Sequence, residues 1–392
     1  MENVVIVAGV RTAFGTFGGS LKNVTPTEMA TVVIDEVLKR AGITGDMLDE
    51  VIFGQVIPRT DENNLVSRGA ALAAGIPDSV PAHLVIRGCG SGMQSIFAGA
   101  RQIMLEEDSI ILAGGVDSMS SAPYLSKDSR YGARMRDSKL VDSLWEVLHD
   151  PHTGLIMGLT AENIAARHGI TREDQDQHAF NSNQKALKAI AEGRLKPQIV
   201  PVEVKERKTT KVFDTDEHPK DTTLEKLAAL PTAFKEGGSV TAGNASGIND
   251  GASAVVLMSE SRAKAEGVAP LARIVSFAAV GCPPEYMGYG PVPSSRKALE
   301  RAGMKVEDIQ LWEINEAFSA QYLYCERELE VDPEISNIWG GAVAYGHPVG
   351  ATGNRLAVTI IEELRDQDAT LGLATMCIGG GQGTAIILER LN

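Results

Sequence analysis

The strongest constraint in this chain of 392 residues is an alternation of short apolar runs with amphipathic helical patterns. In the first stretch, "VVIVAG", "EVIFGQVI", "HLVI" and "SIILAG" read as strands, and "TPTEMATVVIDEVLKRAG", "VSRGAALAAG" and "QSIFAGARQIM" as the helices between them. The first helix is marked at both ends. Thr25, Pro26 and Glu28 make a capping box with proline at the first helical position, and Gly42 closes it. Alternation resumes near residue 248 with "GASAVVLMS", "ARIVSFAAVG", "SSRKALERAG" and "IQLWEI", then a helix after "GHPVGATGNR" and two strands around "CIGGGQG". Strands that alternate with helices predict a layered α/β fold.

The two stretches echo each other. "HLVIRGCGSGMQSIFAGARQIM" and "GGAVAYGHPVGATGNRLAVTIIEEL" each join an apolar run, a glycine-rich turn bearing a reactive residue, and an amphipathic helix. Each is followed by a strand running into glycines, "SIILAGGVDSM" and "LGLATMCIGGGQG". This pattern predicts an internal duplication with an insertion between its halves. The expected divisions are residues 1–117 with 248–268, an inserted domain at 118–247, and 269–392. The insertion is richer in charge and loops, with helices in "TAENIAARHG" and "QDQHAFNSNQKALKAIAEG"; "VKERKTTKVFDTDEHPKDTT" reads as polar and irregular.

A net charge of -14 argues against nucleic acid as a partner. No run of eighteen apolar residues predicts a membrane span, and "MENVVIVAGVRTAFG" reads as a first strand, not a signal peptide, so a cytoplasmic location is expected. The cysteines, Cys89, Cys282, Cys325 and Cys377, form no CxxC pair and no metal-ligand spacing with histidine, so neither disulfides nor a metal are expected.

Cys89 sits on a glycine turn between a strand and a helix. A helix starting just after it places the thiol at the positive end of the dipole, which favours the thiolate nucleophile. Gly88, Gly90 and Gly92 allow a tight turn and close substrate approach. His347, between glycine and Pro348, is the natural base for the Cys89 proton. Cys377 precedes "IGGGQG", whose N–H groups suit an oxyanion. Asn315 and Glu316 fall at a strand-to-helix junction, where Asn315 can equally be a helix cap.

"GCGSGMQS", "NEAF", "GHPVGATG" and "CIGGGQG", in this order and spacing, resemble the thiolases, coenzyme A-dependent acetyltransferases. The likeness extends from "RTAFGTFGGSL" through "MGLTAEN", "TAGNASGINDGA" and "MGYGPVP" to the C-terminus. It implies two duplicated α/β halves in a five-layered αβαβα core, with the insertion as a loop domain over coenzyme A. It further implies thiolysis of 3-ketoacyl-CoA and its reverse, with coenzyme A and acyl-CoA as substrates and no permanently bound cofactor. A homo-oligomer, a tetramer built from dimers, goes with it.

By matching motif, the resemblance makes Cys89 the acylated nucleophile and His347 its base. Cys377 becomes the acid/base at the α-carbon of acetyl-CoA. Asn315 holds a water that forms one oxyanion hole with His347, and the N–H groups of Cys89 and Gly379 form the other. Ser246 matches a coenzyme-contacting serine, while Lys220 falls where an arginine is common, which weakens an adenine-stacking role. Lys205, Lys208 and Lys211 add local positive charge. Trp339 and Tyr345 depart from the family pattern near His347, and Met93 replaces a leucine. Ile156, beside Met157, stands where acetoacetyl-specific members carry histidine, and the apolar pair suggests a wider acyl range.

Overall fold

The computed structural model describes residues 2–59, 65–135, 137–206 and 209–392; Lys208 lies outside them. The duplication is written into the strand pairing. In the first half, Val4–Thr12 pairs antiparallel with Asn249–Ser259, which pairs antiparallel with Ile110–Ser118. Ile110–Ser118 then runs parallel to Glu50–Gly54, and that strand parallel to Ala82–Val85. In the second half, Ala272–Gly281 pairs antiparallel with Gln382–Arg390, which pairs antiparallel with Leu371–Ile378. Leu371–Ile378 runs parallel to Leu311–Ile314, and a parallel bridge from Trp312 to Ser336 completes the row.

Order and sense agree strand for strand. Even an irregularity repeats: the register slips between Ile6 and Ala8 in one first strand and between Ile274 and Ser276 in the other. Those first strands meet antiparallel through Val5–Arg273 and Ile6–Ala272, so one hydrogen-bonded path crosses both halves.

Three apolar clusters give the layers. Helices Pro26–Ala41 and Val66–Ala73 cover the outer face of the first half with Met29, Val33, Val37 and Ala70. Ser91–Met104 and Val349–Asp366 lie between the two sheet portions, with Ile96, Phe97, Leu356 and Ile360 packed on Ile6, Val255, Met376 and Ile386. Pro291–Ala302 and Ser319–Leu329 close the far face over Trp312, Leu373 and Ile387. Helix, sheet, helix, sheet, helix is the five-layered order. Thr25 and Glu28 make the expected capping box, and Gly42 takes the left-handed conformation (φ 68°).

The two central helices approach each other at their N-termini through glycine. A Cβ on Gly92 would lie 2.6 Å from the carbonyl oxygen of Gly350, and one on Gly353 would lie 2.5 Å from the Met93 nitrogen. Any side chain there would force the helix starts apart.

The insertion carries helices Met157–His168 and Arg172–Ala191. Contrary to the irregular reading, Val202–Glu206 and Thr209–Phe213 form an antiparallel hairpin. Its signal was the alternation of Val202, Glu203 and Val204, which buries both valines against the first-half core. The strand expected over "EVIFGQVI" ends at Gly54, because the N–H groups of Val56 and Ile57 turn to the Asp117 carboxylate instead of a ladder. A buried pair ties the insertion down: Arg11 donates to both oxygens of Asp216 at 2.7 and 2.8 Å. No helix among the described residues is long and apolar enough to cross a membrane.

Candidate active site

Cys89 precedes the N-cap, Gly90, of helix Ser91–Met104, and Gly88 makes the turn at φ 46°. His347 precedes the N-cap, Pro348, of helix Val349–Asp366. The glycine contact between those helix starts draws together the two turns that carry these residues. Cys89 packs against the cluster of Ile57, Met119, Leu144 and Val349.

The helix start does not make Cys89 a resting thiolate. Burial raises its pKa above the ordinary thiol value and the Asp117 charge adds to this, outweighing the N–H groups of Gly379 and of Cys89 itself, which pull it down. Desolvation disfavours the thiolate and is the largest cause of the rise. A thiol held neutral in this way would react as a nucleophile only with a base at hand.

His347 is suited to be one. It is 5% exposed, and burial together with the nearby Arg355 pushes its pKa down to about 3, so the ring is neutral. Nδ1 lies 2.7 Å from the Thr352 hydroxyl, while Nε2 is buried with no hydrogen-bond partner. Asn249 accepts the His347 backbone N–H at 3.0 Å and donates to the Gly15 carbonyl. Asp117 accepts the N–H of Gly350 at 2.7 Å, as well as those of Val56 and Ile57, and burial lifts its pKa to about 7 in spite of these donors. Sequence reasoning missed Thr352, Asn249 and Asp117; polar residues beside glycines at strand and helix ends were the available signal.

Cys377 ends strand Leu371–Ile378 and is 1% exposed. Burial raises its pKa well above the ordinary thiol value, with Cys89, Cys325 and Cys282 adding to the rise in that order. Three and four residues on, Gly380 and Gly381 adopt φ of 86° and 78°, which turns the chain so that the Gly379 N–H faces Cys89. Around Cys377 lie Met157, Phe234, Ala245, Met287 and Phe318. Met157 is close enough to Gly379 that a Cβ there would sit 3.1 Å from its sulfur. Ile156 caps the same helix and is buried, but stands outside that cluster.

Asn315 is fully buried and neither side-chain atom has a partner. It is not a helix cap, since the next helix starts at Ser319 with Phe318 as its N-cap. Glu316 has a scaffold role: it accepts from Ser182, Asn337 and the Val343 N–H, gripping the loop that leads to His347. Ser246 donates its N–H to the Ala317 carbonyl, which holds the "NASG" loop against "NEAF". Lys220 is exposed, with its backbone N–H on Asn183, and lies near His218, whose pKa burial and Lys220 lower to about 4. Trp339 and Tyr345 turn away from the chemistry into an apolar cluster with Ala13, Phe14 and Ala186.

A neutral buried base, two cysteines on converging glycine turns and an unpaired buried amide fit acyl transfer through a cysteine thioester. Family matches agree. Residues 4–261 match the model for the thiolase N-terminal domain and residues 268–390 that for the thiolase C-terminal domain. Beta-ketothiolase BktB of Cupriavidus necator is 47% identical over 392 residues, covering 100% of each chain. The crystal structure of acetyl-CoA acetyltransferase from Bacillus anthracis superposes with a TM-score of 0.98 at 51% identity, covering 100% of this chain and 99% of that one. Human mitochondrial 3-ketoacyl-CoA thiolase in complex with CoA gives 0.96 at 42% identity, covering 100% and 98%. The chain belongs to the thiolase family.

Proposed function

We propose that this enzyme interconverts 3-ketoacyl-CoA plus CoA with acyl-CoA plus acetyl-CoA, in two half-reactions through acyl-Cys89. The observation that carries the reading is the glycine packing of the two helix starts that Cys89 and a neutral His347 directly precede. In the first half-reaction, His347 takes the Cys89 proton as sulfur attacks the thioester carbon. The N–H groups of Cys89 and Gly379 receive the oxyanion, and coenzyme A leaves as its thiol with that proton.

The second half-reaction in the synthetic direction removes a proton from the α-carbon of acetyl-CoA. Cys377 is the base, and Asn315, through a water, acts with His347 on the thioester oxygen where enolate charge collects. The carbanion attacks acyl-Cys89, the product leaves, and Cys89 regains a proton. Thiolysis is the reverse.

Coenzyme A and its thioesters are substrates in this reading, with Ser246, Met157, Ile156 and Lys220 as contacts and no resident cofactor. The apolar surroundings of Cys377, Met157 and Phe318 support turnover of 3-ketopentanoyl- and 3-ketohexanoyl-CoA as well as acetoacetyl-CoA. Solvent-facing Tyr131, Met135, Leu140 and Trp145 in one segment support a homo-oligomer, a tetramer in this proposal; a cytoplasmic location is part of the same proposal. The test is a thiolysis panel across chain lengths with mass spectrometry of the Cys89 peptide. An absent acyl adduct on Cys89 would remove the mechanism, and turnover confined to acetoacetyl-CoA would remove the wider range.

A further inference from the structure

The oxyanion hole assigned to acyl transfer draws its two donors from different halves of the chain. One N–H belongs to Cys89 and the other to Gly379, and both reach the Cys89 sulfur. Gly379, Gly380 and Gly381 form the loop between strands Leu371–Ile378 and Gln382–Arg390, and Ile378 pairs with Gln382 to close it. Three consecutive glycines leave such a loop soft. The Gly379 N–H is therefore held in place through the two residues that close the loop.

Both closing residues grip the Cys89 turn. A Cβ on Gly88 would lie 3.1 Å from Ile378 Cγ2, and one on Gly90 would lie 2.5 Å from Ile378 Cδ1. This packing resists closer approach, but the attraction of a few methyl contacts does little against separation. Gln382 supplies the attraction. Arg87, two residues before Cys89, donates from Nη1 to Gln382 Oε1 at 2.9 Å and from Nε to Gln94 Oε1 at 2.8 Å. Gln94 lies in the first turn of helix Ser91–Met104, so one guanidinium joins the helix behind Cys89 to the far end of the glycine loop. The backbone of Arg87 braces the turn as well: its N–H donates to Ser91 Oγ at 2.9 Å, and that hydroxyl donates to the Gly88 carbonyl at 2.7 Å.

The residue type fits this task. A planar guanidinium fixes the angle between its N–H groups and so fixes two acceptors at once, which a lysine ammonium does not. Both of its partners are neutral amides, and its charge adds to that of Arg301 in lowering the Arg101 pKa, behind burial as the main cause. An arginine among like charges, bonded to amides, serves geometry more than charge balance. We propose that Arg87 is a positioning residue that clamps the Gly379 loop to the Cys89 turn and so sets the separation of the two oxyanion-hole N–H groups. This rests on the reading of Cys89 as the residue acylated in that hole.

The test is Arg87→Met, which keeps much of the side-chain length and loses every donor. Losing an oxyanion-hole donor outright costs about 10²–10³-fold. A loosened donor is still present, so acetylation of Cys89 by acetyl-CoA should slow on the order of 10-fold with little change in KM. Alkylation of Cys89 by iodoacetamide uses the same thiol but forms no oxyanion, and it should stay within a few-fold of wild type. Gln382→Met cuts the tie from its other end and should reproduce this pattern, and the double variant should add little to either single one. Arg87→Lys keeps the charge without the fork and should recover little. Wild-type acetylation in Arg87→Met, an equal fall in alkylation, or full recovery by Arg87→Lys would each overturn the proposal. If Arg87→Met fails to fold, Gln382→Met decides by the same two rates. An absent acetyl adduct on Cys89 of the wild-type enzyme refutes acyl-Cys89 itself, whereas an adduct that both variants form at the wild-type rate refutes only the role of Arg87.

Discussion

Gly92→Ala tests the argument that helix convergence builds the site, because it changes no reacting group. The added Cβ would sit 2.6 Å from the Gly350 carbonyl oxygen and 2.9 Å from the Asn354 nitrogen. Both are backbone atoms of the opposing helix, so no side chain can swing away. Restoring an ordinary contact of about 3.4 Å requires the helix starts to part by roughly 0.8 Å. Overpacking of this kind costs about 1–3 kcal/mol. The kinetic effect should be larger, since misplacing reacting groups by about 1 Å can cost on the order of 10²-fold. Cys89 and His347 lie directly ahead of the two helix starts and are carried with them. Acetylation of Cys89 should therefore slow on the order of 10²-fold, while far-ultraviolet circular dichroism is unchanged and the melting temperature drops by a few degrees. A Gly92→Ala enzyme that melts lower yet acylates at the wild-type rate would refute the link between this packing and the chemistry.

Other outcomes follow from the site. Asn315→Ala should keep the fold and lower kcat on the order of 10²-fold, the usual effect of losing one oxyanion-hole element, as read by steady-state thiolysis; near-native turnover would leave Asn315 as filler. Cys377→Ala should still form acetyl-Cys89, seen as a mass increase on that peptide, and still exchange coenzyme A, but should nearly lose condensation; an acyl group found on Cys377 in the wild-type enzyme would reverse the roles. The folded His347 pKa of about 3 lies below the ordinary 6.5, so below about 6.5 the unfolded chain binds a proton that the folded one refuses. Stability from this group is complete above that pH and is lost as pH falls toward about 3, so the drop in melting temperature between pH 7 and pH 5 should be smaller for His347→Asn than for wild type.

Much of the fold was legible because its signals are local. Capping of the first helix by Thr25 and Glu28, and the alternation of strand and helix, need no tertiary knowledge. The hairpin at Val202–Glu206 and Thr209–Phe213 was hidden by charged residues on its outer face, although its valines alternate. The reactive residues stood out because each lies on a glycine turn. Their ionisation did not. A dipole argument sees one helix, whereas the pKa of Cys89 is set mainly by burial under elements distant in sequence, including Asp117 and the Gly379 turn. Thr352 was illegible for a similar reason. A threonine in the first turn of a helix signals nothing until the ring of His347 is seen to fold back over it.

The repeated topology explains why the site is asymmetric. Cys89 and His347 each stand one residue before the N-cap of the central helix of their half, so they occupy equivalent places on turns that converge where the two helices touch. Equivalent strands do not share chemistry in this way. Following the matched bulges, Leu257 corresponds to Leu388, Ile111 to Gly372, and hence Val116 to Cys377. The same register extended to the next strand sets Gly54 against Asn315. Where the second half carries a thiol and an amide, the first carries an apolar residue and a glycine. The first half's polar group at that end is Asp117, one residue further on, and it holds backbone N–H groups on both sides of the junction. Duplication thus supplied two converging turns, one bearing Cys89 and the other His347. The strand ends then diverged: one set holds the junction closed, and the other carries Cys377 and Asn315, which the proposed mechanism assigns to the second substrate.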